Sequence, residues 1–198
     1  MPRSPRVLAC AATVLAVVGL AAPAARAQDA PAGVETVYVP EPTPALASLV
    51  PTGTDAAIVR VLWFALDAVG KPYAFGARGP DSFDCSGLVD AAYRAAGLRV
   101  GPTTEQQQTV GTAVASVADL APGDLVFVPG ADGTAQDPGH VGLYLGNGLI
   151  VQATHTGDVV RITPLSAWSA SIAVIRRVVP APAPPIAPAR VPVGGTRT

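Results

Sequence analysis

The apolar residues of this chain change period once. Ile58, Leu62, Ala65, Leu66 and Val69 recur three or four apart, and so do Leu88, Ala91, Ala92 and Ala95. That spacing predicts two amphipathic helices. The first is capped by Thr54 or Asp55 and stopped by Gly70-Lys71-Pro72; the second runs over 86–96 and ends at Gly97. A short polar helix is expected over 103–109. From Asp124 onward the apolar residues fall in short runs broken by turn residues: 124–128, 140–145, 149–153, 159–163 and 172–179. Gly146-Asn147-Gly148 between two of these runs is a hairpin signal. Helices first and an antiparallel sheet of about five strands second is an α+β layout.

The 21 prolines mark the limits of this domain because they cluster outside it. Residues 28–54 hold Pro31, Pro40, Pro42, Pro44 and Pro51, with no basic residue between Arg26 and Arg60, and read as a linker. Its apolar pieces, Val37 to Val39 and Leu46 to Val50, are able to pack onto the domain. Residues 180–198 are a Pro/Ala-rich tail, expected to be extended or disordered. The folded domain is therefore expected over 55–179. At 49% hydrophobic and 14% charged, the chain fills an interior without metals or disulfides. Lys71 is the only lysine and no basic run exists to track a phosphate backbone, which argues against nucleic acid as a partner.

Residues 1–27 read as a signal peptide. Arg3 and Arg6 precede an apolar stretch from Val7 to Ala22, and Ala25-Arg26-Ala27 offers small residues for cleavage before Gln28. Retention of the segment as a membrane anchor is the alternative. Cleavage removes Arg3, Arg6 and Arg26 and no acidic residue, leaving an acidic mature chain. That chain is expected to be secreted, or held in the cell wall or periplasmic space, as a monomer without stable membrane insertion.

Cleavage also removes Cys10, so Cys85 becomes the one remaining thiol. It cannot form an internal disulfide, and an exposed thiol in an oxidising compartment is a liability. A buried, inert cysteine is the bland explanation. The surroundings favour a nucleophile. Cys85 stands at the start of the second helix, whose free amides stabilise a thiolate and, equally, the oxyanion of a tetrahedral intermediate. An imidazole is the second device. His140 opens a strand beside the loop 132–139, where a side chain can face a cleft. His155, at a strand end, is better read as a surface or structural residue. Gln152 follows the Gly146-Asn147-Gly148 hairpin; if the turn is tight, its amide oxygen can accept from the His140 ring and hold it in one tautomer. No residue set has the spacing of a zinc or calcium site, and no cofactor is expected.

With these residues in view, the chain resembles the NlpC-type peptidases, papain-like cysteine hydrolases of the bacterial cell wall, over about 58–178. Gly70-Lys71-Pro72-Tyr73-Ala74-Phe75-Gly76, Asp84-Cys85-Ser86-Gly87-Leu88, Pro122-Gly123-Asp124-Leu125 and Gly139-His140-Val141-Gly142 match four family motifs in order. The resemblance implies a papain-like α+β fold, with N-terminal helices packed on a C-terminal sheet. It implies hydrolysis of peptidoglycan stem peptides, usually between D-glutamate (through its γ-carboxyl) and diaminopimelate. Cys85 is then nucleophile, His140 base and acid, and Gln152 the third polar residue. Tyr73 would line the nucleophile pocket, and Asp84 and Ser86 would contact substrate. The family commonly has His where Gln152 stands and Trp where Phe75 stands. A non-catalytic wall-binding domain, or a related thiol amidase or acyltransferase, remains an alternative reading. A further expectation is that residues 28–54 cover the groove.

Overall fold

In a computed structural model of the chain, residues 43–179 are described. The expected leader, residues 28–42 of the linker, and the tail from 180 lie outside them. The Asp55 carboxylate accepts from the amides of Ala57 at 2.8 Å and Ile58 at 3.4 Å, and so starts helix α2, Ala56–Asp67. Capping satisfies amides that have no partner within the helix. The α2 stripe Ile58, Val61, Leu62, Ala65 and Leu66 is buried. It packs on helix α3, Cys85–Ala95, and on the sheet. Burial of side chains of this size is worth about 1.5–3 kcal/mol each, so this face anchors both helices. Two short helices complete the set: α1, Pro44–Ala47, and α4, Thr104–Gln107.

The sheet has six antiparallel strands where about five were expected. They are β1 (Thr112–Ala113), β2 (Leu125–Val128), β3 (His140–Gly146), β4 (Leu149–Gln152), β5 (Arg161–Pro164) and β6 (Val174–Arg177), in the order β1-β6-β2-β3-β4-β5. The additional strand is β1. Its two residues are exposed and carry no alternation, so the sequence gives no strand signal there. It is held by pairing to Arg176 and Arg177, and by the Arg176 side chain, which donates to the carbonyls of Val110 and Gly111.

Alternation along β2–β4 separates two faces. Leu125, Phe127, Val141, Leu143 and Val151 face the helices. Val126, Val128 and Ile150 face the other way, under Trp168. Gly142 lets the indole approach the sheet closely: a Cβ there would stand 2.7 Å from the Trp168 ring and 2.4 Å from Ile150. Asn147 and Gly148 both take positive φ, 52° and 71°, as a tight hairpin turn requires. This turn joins β3 to β4 and sets Leu143 opposite Val151.

The segment before α2 belongs partly to the domain. Leu46, Leu49 and Val50 pack against the core. Residues 51–55 line a small cavity of about 200 Å³ with Ile58, Pro122 and Arg177. None of residues 43–54 lines the cleft that holds Cys85. For this part of the linker, the expected cover over the groove is replaced by packing elsewhere. Among the described residues, no helix is long and apolar enough to cross a membrane.

Candidate active site

Asp84 determines where Cys85 sits. Its Oδ1 accepts from the Gly87 amide at 2.6 Å and from the Ser86 hydroxyl at 3.2 Å, capping α3. Its Oδ2 accepts from the Gly76 amide at 2.7 Å, which ties the preceding loop to the helix. The Asp84 amide donates to Ala77 O at 2.9 Å. Gly87 permits this approach, because a Cβ there would stand 2.1 Å from the Ala77 carbonyl. Gln107, fully buried, supports the same turn from behind by donating to the carbonyls of Ser86 at 2.9 Å and Gly101 at 2.8 Å.

His140 enters from the first position of β3. Its Nε2 lies 2.8 Å from Gln152 Oε1. The Gln152 amide nitrogen in turn donates to Thr163 Oγ1 at 2.7 Å. With its oxygen toward the ring, Gln152 accepts the Nε2–H, so the neutral ring keeps its lone pair on Nδ1. Trp168 packs edge-on against the imidazole, with centroids 5.3 Å apart. Gln152 is almost completely buried, so water competes little for this hydrogen bond.

Cys85, His140, Gln152, Tyr73, Asp84 and Ser86 all line one open cleft of about 1150 Å³. All six candidate residues are thus brought together. They differ in how free they are. Both Asp84 oxygens are engaged within the protein, and Ser86 donates to one of them. His155 is exposed on the cleft wall, its Nδ1 3.0 Å from the Thr156 carbonyl. Among the described residues no group of acids, histidines and cysteines is arranged to hold a metal ion.

The electrostatics correct one expectation. The amides of Val141 on β3 and of Ser86 and Cys85 at the helix start favour the thiolate. Burial works against it more strongly and the nearby Asp84 carboxylate adds to that, so the thiol is pushed above its ordinary value. Burial holds His140 below its ordinary value, and the hydrogen bond to Gln152 only partly opposes this. Burial, then the Cys85 thiolate, Asp84 and Asp132, push the Tyr73 phenol up. These directions favour a protonated Cys85 and a neutral His140 at neutral pH.

Thr163, Trp168 and Gln107 escaped the sequence reading. Thr163 was findable only from strand register: Ile150 pairs with Thr163 and Gln152 with Arg161. The turn at Thr156-Gly157-Asp158 predicts two strands without predicting which residues face each other. Trp168 lies in a 3₁₀ turn region outside any periodic run.

Comparison with known proteins gives the family of the chain. The NlpC/P60 family model matches residues 70–177. A probable endopeptidase of Mycobacterium tuberculosis is 36% identical over 122 residues, which is 62% of this chain and 30% of the relative. A probable endopeptidase of Corynebacterium glutamicum is 38% identical over 149 residues, 75% of this chain and 54% of the relative. The chain thus spans from 30% to 54% of the length of these two relatives. Among solved structures, the peptidoglycan hydrolase RipB of Mycobacterium tuberculosis superposes with a TM-score of 0.56 at 28% identity, covering 70% of this chain and 73% of that one. NlpC2 of Trichomonas vaginalis gives 0.58 at 28% identity, covering 66% and 50%. The matched span runs from the Gly70 loop to the end of β6 and takes in α3 and β3, which carry Cys85 and His140; the chain belongs to the NlpC/P60 family.

Proposed function

We propose that this protein is a thiol endopeptidase that hydrolyses peptidoglycan stem peptides, at the bond between the γ-carboxyl of D-glutamate and diaminopimelate. The observation that carries the reading is the 2.8 Å contact of His140 Nε2 with Gln152 Oε1. It leaves Nδ1 free to take a proton in the cleft that Cys85 lines. The relatives' names as endopeptidases and RipB's as a peptidoglycan hydrolase support the substrate class.

The steps balance without a cofactor. Nδ1 of His140 takes the Cys85 proton as sulfur adds to the amide carbonyl. The oxyanion is stabilised by amides at the start of α3 and by the Tyr73 hydroxyl. His140 returns the proton to the leaving amine nitrogen, the C–N bond breaks, and a thioester remains. Water, deprotonated by the same ring, adds to the thioester. The acid leaves and the thiol is restored with its proton. Gln152 accepts from Nε2–H throughout, so the ring does not turn. An amide oxygen stabilises the imidazolium less than a carboxylate would. Asp84 and Ser86 contribute to the cleft wall next to the sulfur.

The test is hydrolysis of L-Ala-γ-D-Glu-diaminopimelate by the full chain under reducing conditions, beside Cys85→Ala. Cleavage between glutamate and diaminopimelate, lost by at least about 10³-fold in the variant, is the expected outcome. Cleavage elsewhere redirects the reading to a related amidase, and binding without cleavage by either protein to a wall-binding domain. We also propose export with cleavage before Gln28; N-terminal sequencing of the exported protein that begins elsewhere rejects that site.

A further inference from the structure

The turn Ala74–Ala77 carries an aromatic side chain that the chemistry above leaves unused. The Ala77 amide closes the turn on the Ala74 carbonyl at 3.0 Å, and Gly76 takes φ +77° at its third position, the pattern of a type II turn. Phe75 therefore stands at the tip. It is 90% exposed, while the next most exposed large hydrophobic among the described residues, Val117, is 42% exposed. Arg78 follows the turn and is also exposed. Both line the cleft that holds Cys85. The turn itself is braced by the Gly76 amide on Asp84 Oδ2 and by the close approach of Gly87 to Ala77 O. A ring held in water by a braced turn, beside a nucleophile, is a contact surface for a ligand.

Charge narrows the ligand. Two arginines line the cleft. Arg161 is paired with Asp158 at 3.3 Å, and none of the ion pairs among the described residues uses Arg78. The guanidinium fork matches a carboxylate. Asp132 and Asp137, on the loop between β2 and β3, line the same cleft and repel an anion placed near them. We propose that Phe75 and Arg78 form a subsite for a carboxylate-bearing residue of the substrate, with its hydrocarbon against the ring and its carboxylate on the guanidinium. The identity of that residue rests on the stem-peptide reading above. Three carboxylates then qualify, the α-carboxylate of D-glutamate and the two of diaminopimelate.

The test uses the full chain carrying Cys85→Ala and isothermal titration with three peptides. One is L-Ala-γ-D-Glu-diaminopimelate, one its D-glutamate α-amide, and one has both diaminopimelate carboxyls amidated. The acidic peptide is expected to bind about fivefold tighter than one of the two amides, the upper range for a solvent-exposed ion pair. The amide that loses affinity identifies the residue whose carboxylate is bound. Adding Arg78→Gln is expected to abolish this preference, and Phe75→Ala to weaken all three peptides alike. A preference that survives Arg78→Gln, no preference at all, or no binding overturns the subsite. Hydrolysis by the chain with intact Cys85 is read in parallel. An Arg78-dependent preference without hydrolysis removes the endopeptidase reading and keeps the subsite. Hydrolysis without the preference does the reverse.

Discussion

One buried aspartate caps helix α3 at the cleft end, and another lies in the loop that the far end of the helix meets. At the cleft end, Asp84 is surrounded by neutral donors: the amides of Gly76 and Gly87 and the Ser86 hydroxyl. At the far end, the Tyr93 phenol donates to Gly123 O at 2.5 Å, in the loop leading to Asp124. Asp124 is met by the Arg177 fork, Nε to Oδ1 at 2.8 Å and Nη2 to Oδ2 at 2.7 Å. It also accepts from the Ala121 amide at 2.8 Å. Both carboxylates are buried. Only Asp124 is paired with a cation. The Asp84 charge reaches Cys85 and raises its pKa, whereas Asp124 holds Arg177 charged through its hydrogen bond. A similar degree of burial thus makes one aspartate part of the site and the other part of the scaffold.

The largest effect should come from the scaffold end. Asp124→Ala leaves the Arg177 fork and the Ala121 amide without their partner. It is expected to cost about 3 kcal/mol of stability, read by denaturant unfolding, while kcat of the folded protein stays close to wild type. A large fall in kcat with the fold intact would erase the distinction between the two ends.

The cleft end should declare itself in pH. With His140 depressed and Cys85 raised, kcat/KM should hold a plateau around neutrality. It should fall about tenfold per pH unit on an acid limb below 6.5, as His140 takes a proton. The alkaline limb should lie above the range of an ordinary thiol, as Cys85 ionises. Ultraviolet absorbance should show no thiolate at pH 7; its presence would mean a preformed ion pair. The same histidine also links to stability. Its folded pKa is lowered, so the unfolded chain binds the proton first. The stability it contributes is complete above 6.5 and is lost as pH falls through the folded value.

Asp84→Asn sharpens the comparison further. Asparagine still caps a helix while the charge is removed, so the thiol pKa should fall, measured by alkylation rate against pH. An unmoved thiol would make Asp84 a cap and nothing more. Smallest is Thr163→Val, which frees the Gln152 amide and should lower kcat about fivefold, by the worth of one hydrogen bond. Thr163→Ser should restore it, and a loss that Ser does not rescue would point to packing.

The parts of this molecule legible in the sequence are those with local causes. Asp55, the apolar stripe of α2 and the Asn147-Gly148 turn each act within a few residues, so their helix and hairpin can be read directly. The His140–Gln152 pair follows from that turn. Strand β1, the Asp124–Arg177 pair and Thr163 depend on register between segments far apart in sequence, and nothing local encodes it. The thiol pKa was misread for a related reason. A helix start is visible in sequence, but the burial that outweighs it is a property of the assembled cleft.

The bracing of the Phe75 turn has a consequence for how this protein can change. Every group that fastens the turn to the helix is main chain, the Asp84 carboxylate, or the missing Cβ of Gly87. The Phe75 side chain takes no part in that fastening. Nor do the ion pairs of the described residues need Arg78. On the proposed reading, selectivity and turnover become separable traits: Phe75 and Arg78 can be exchanged for others while Cys85 keeps its place.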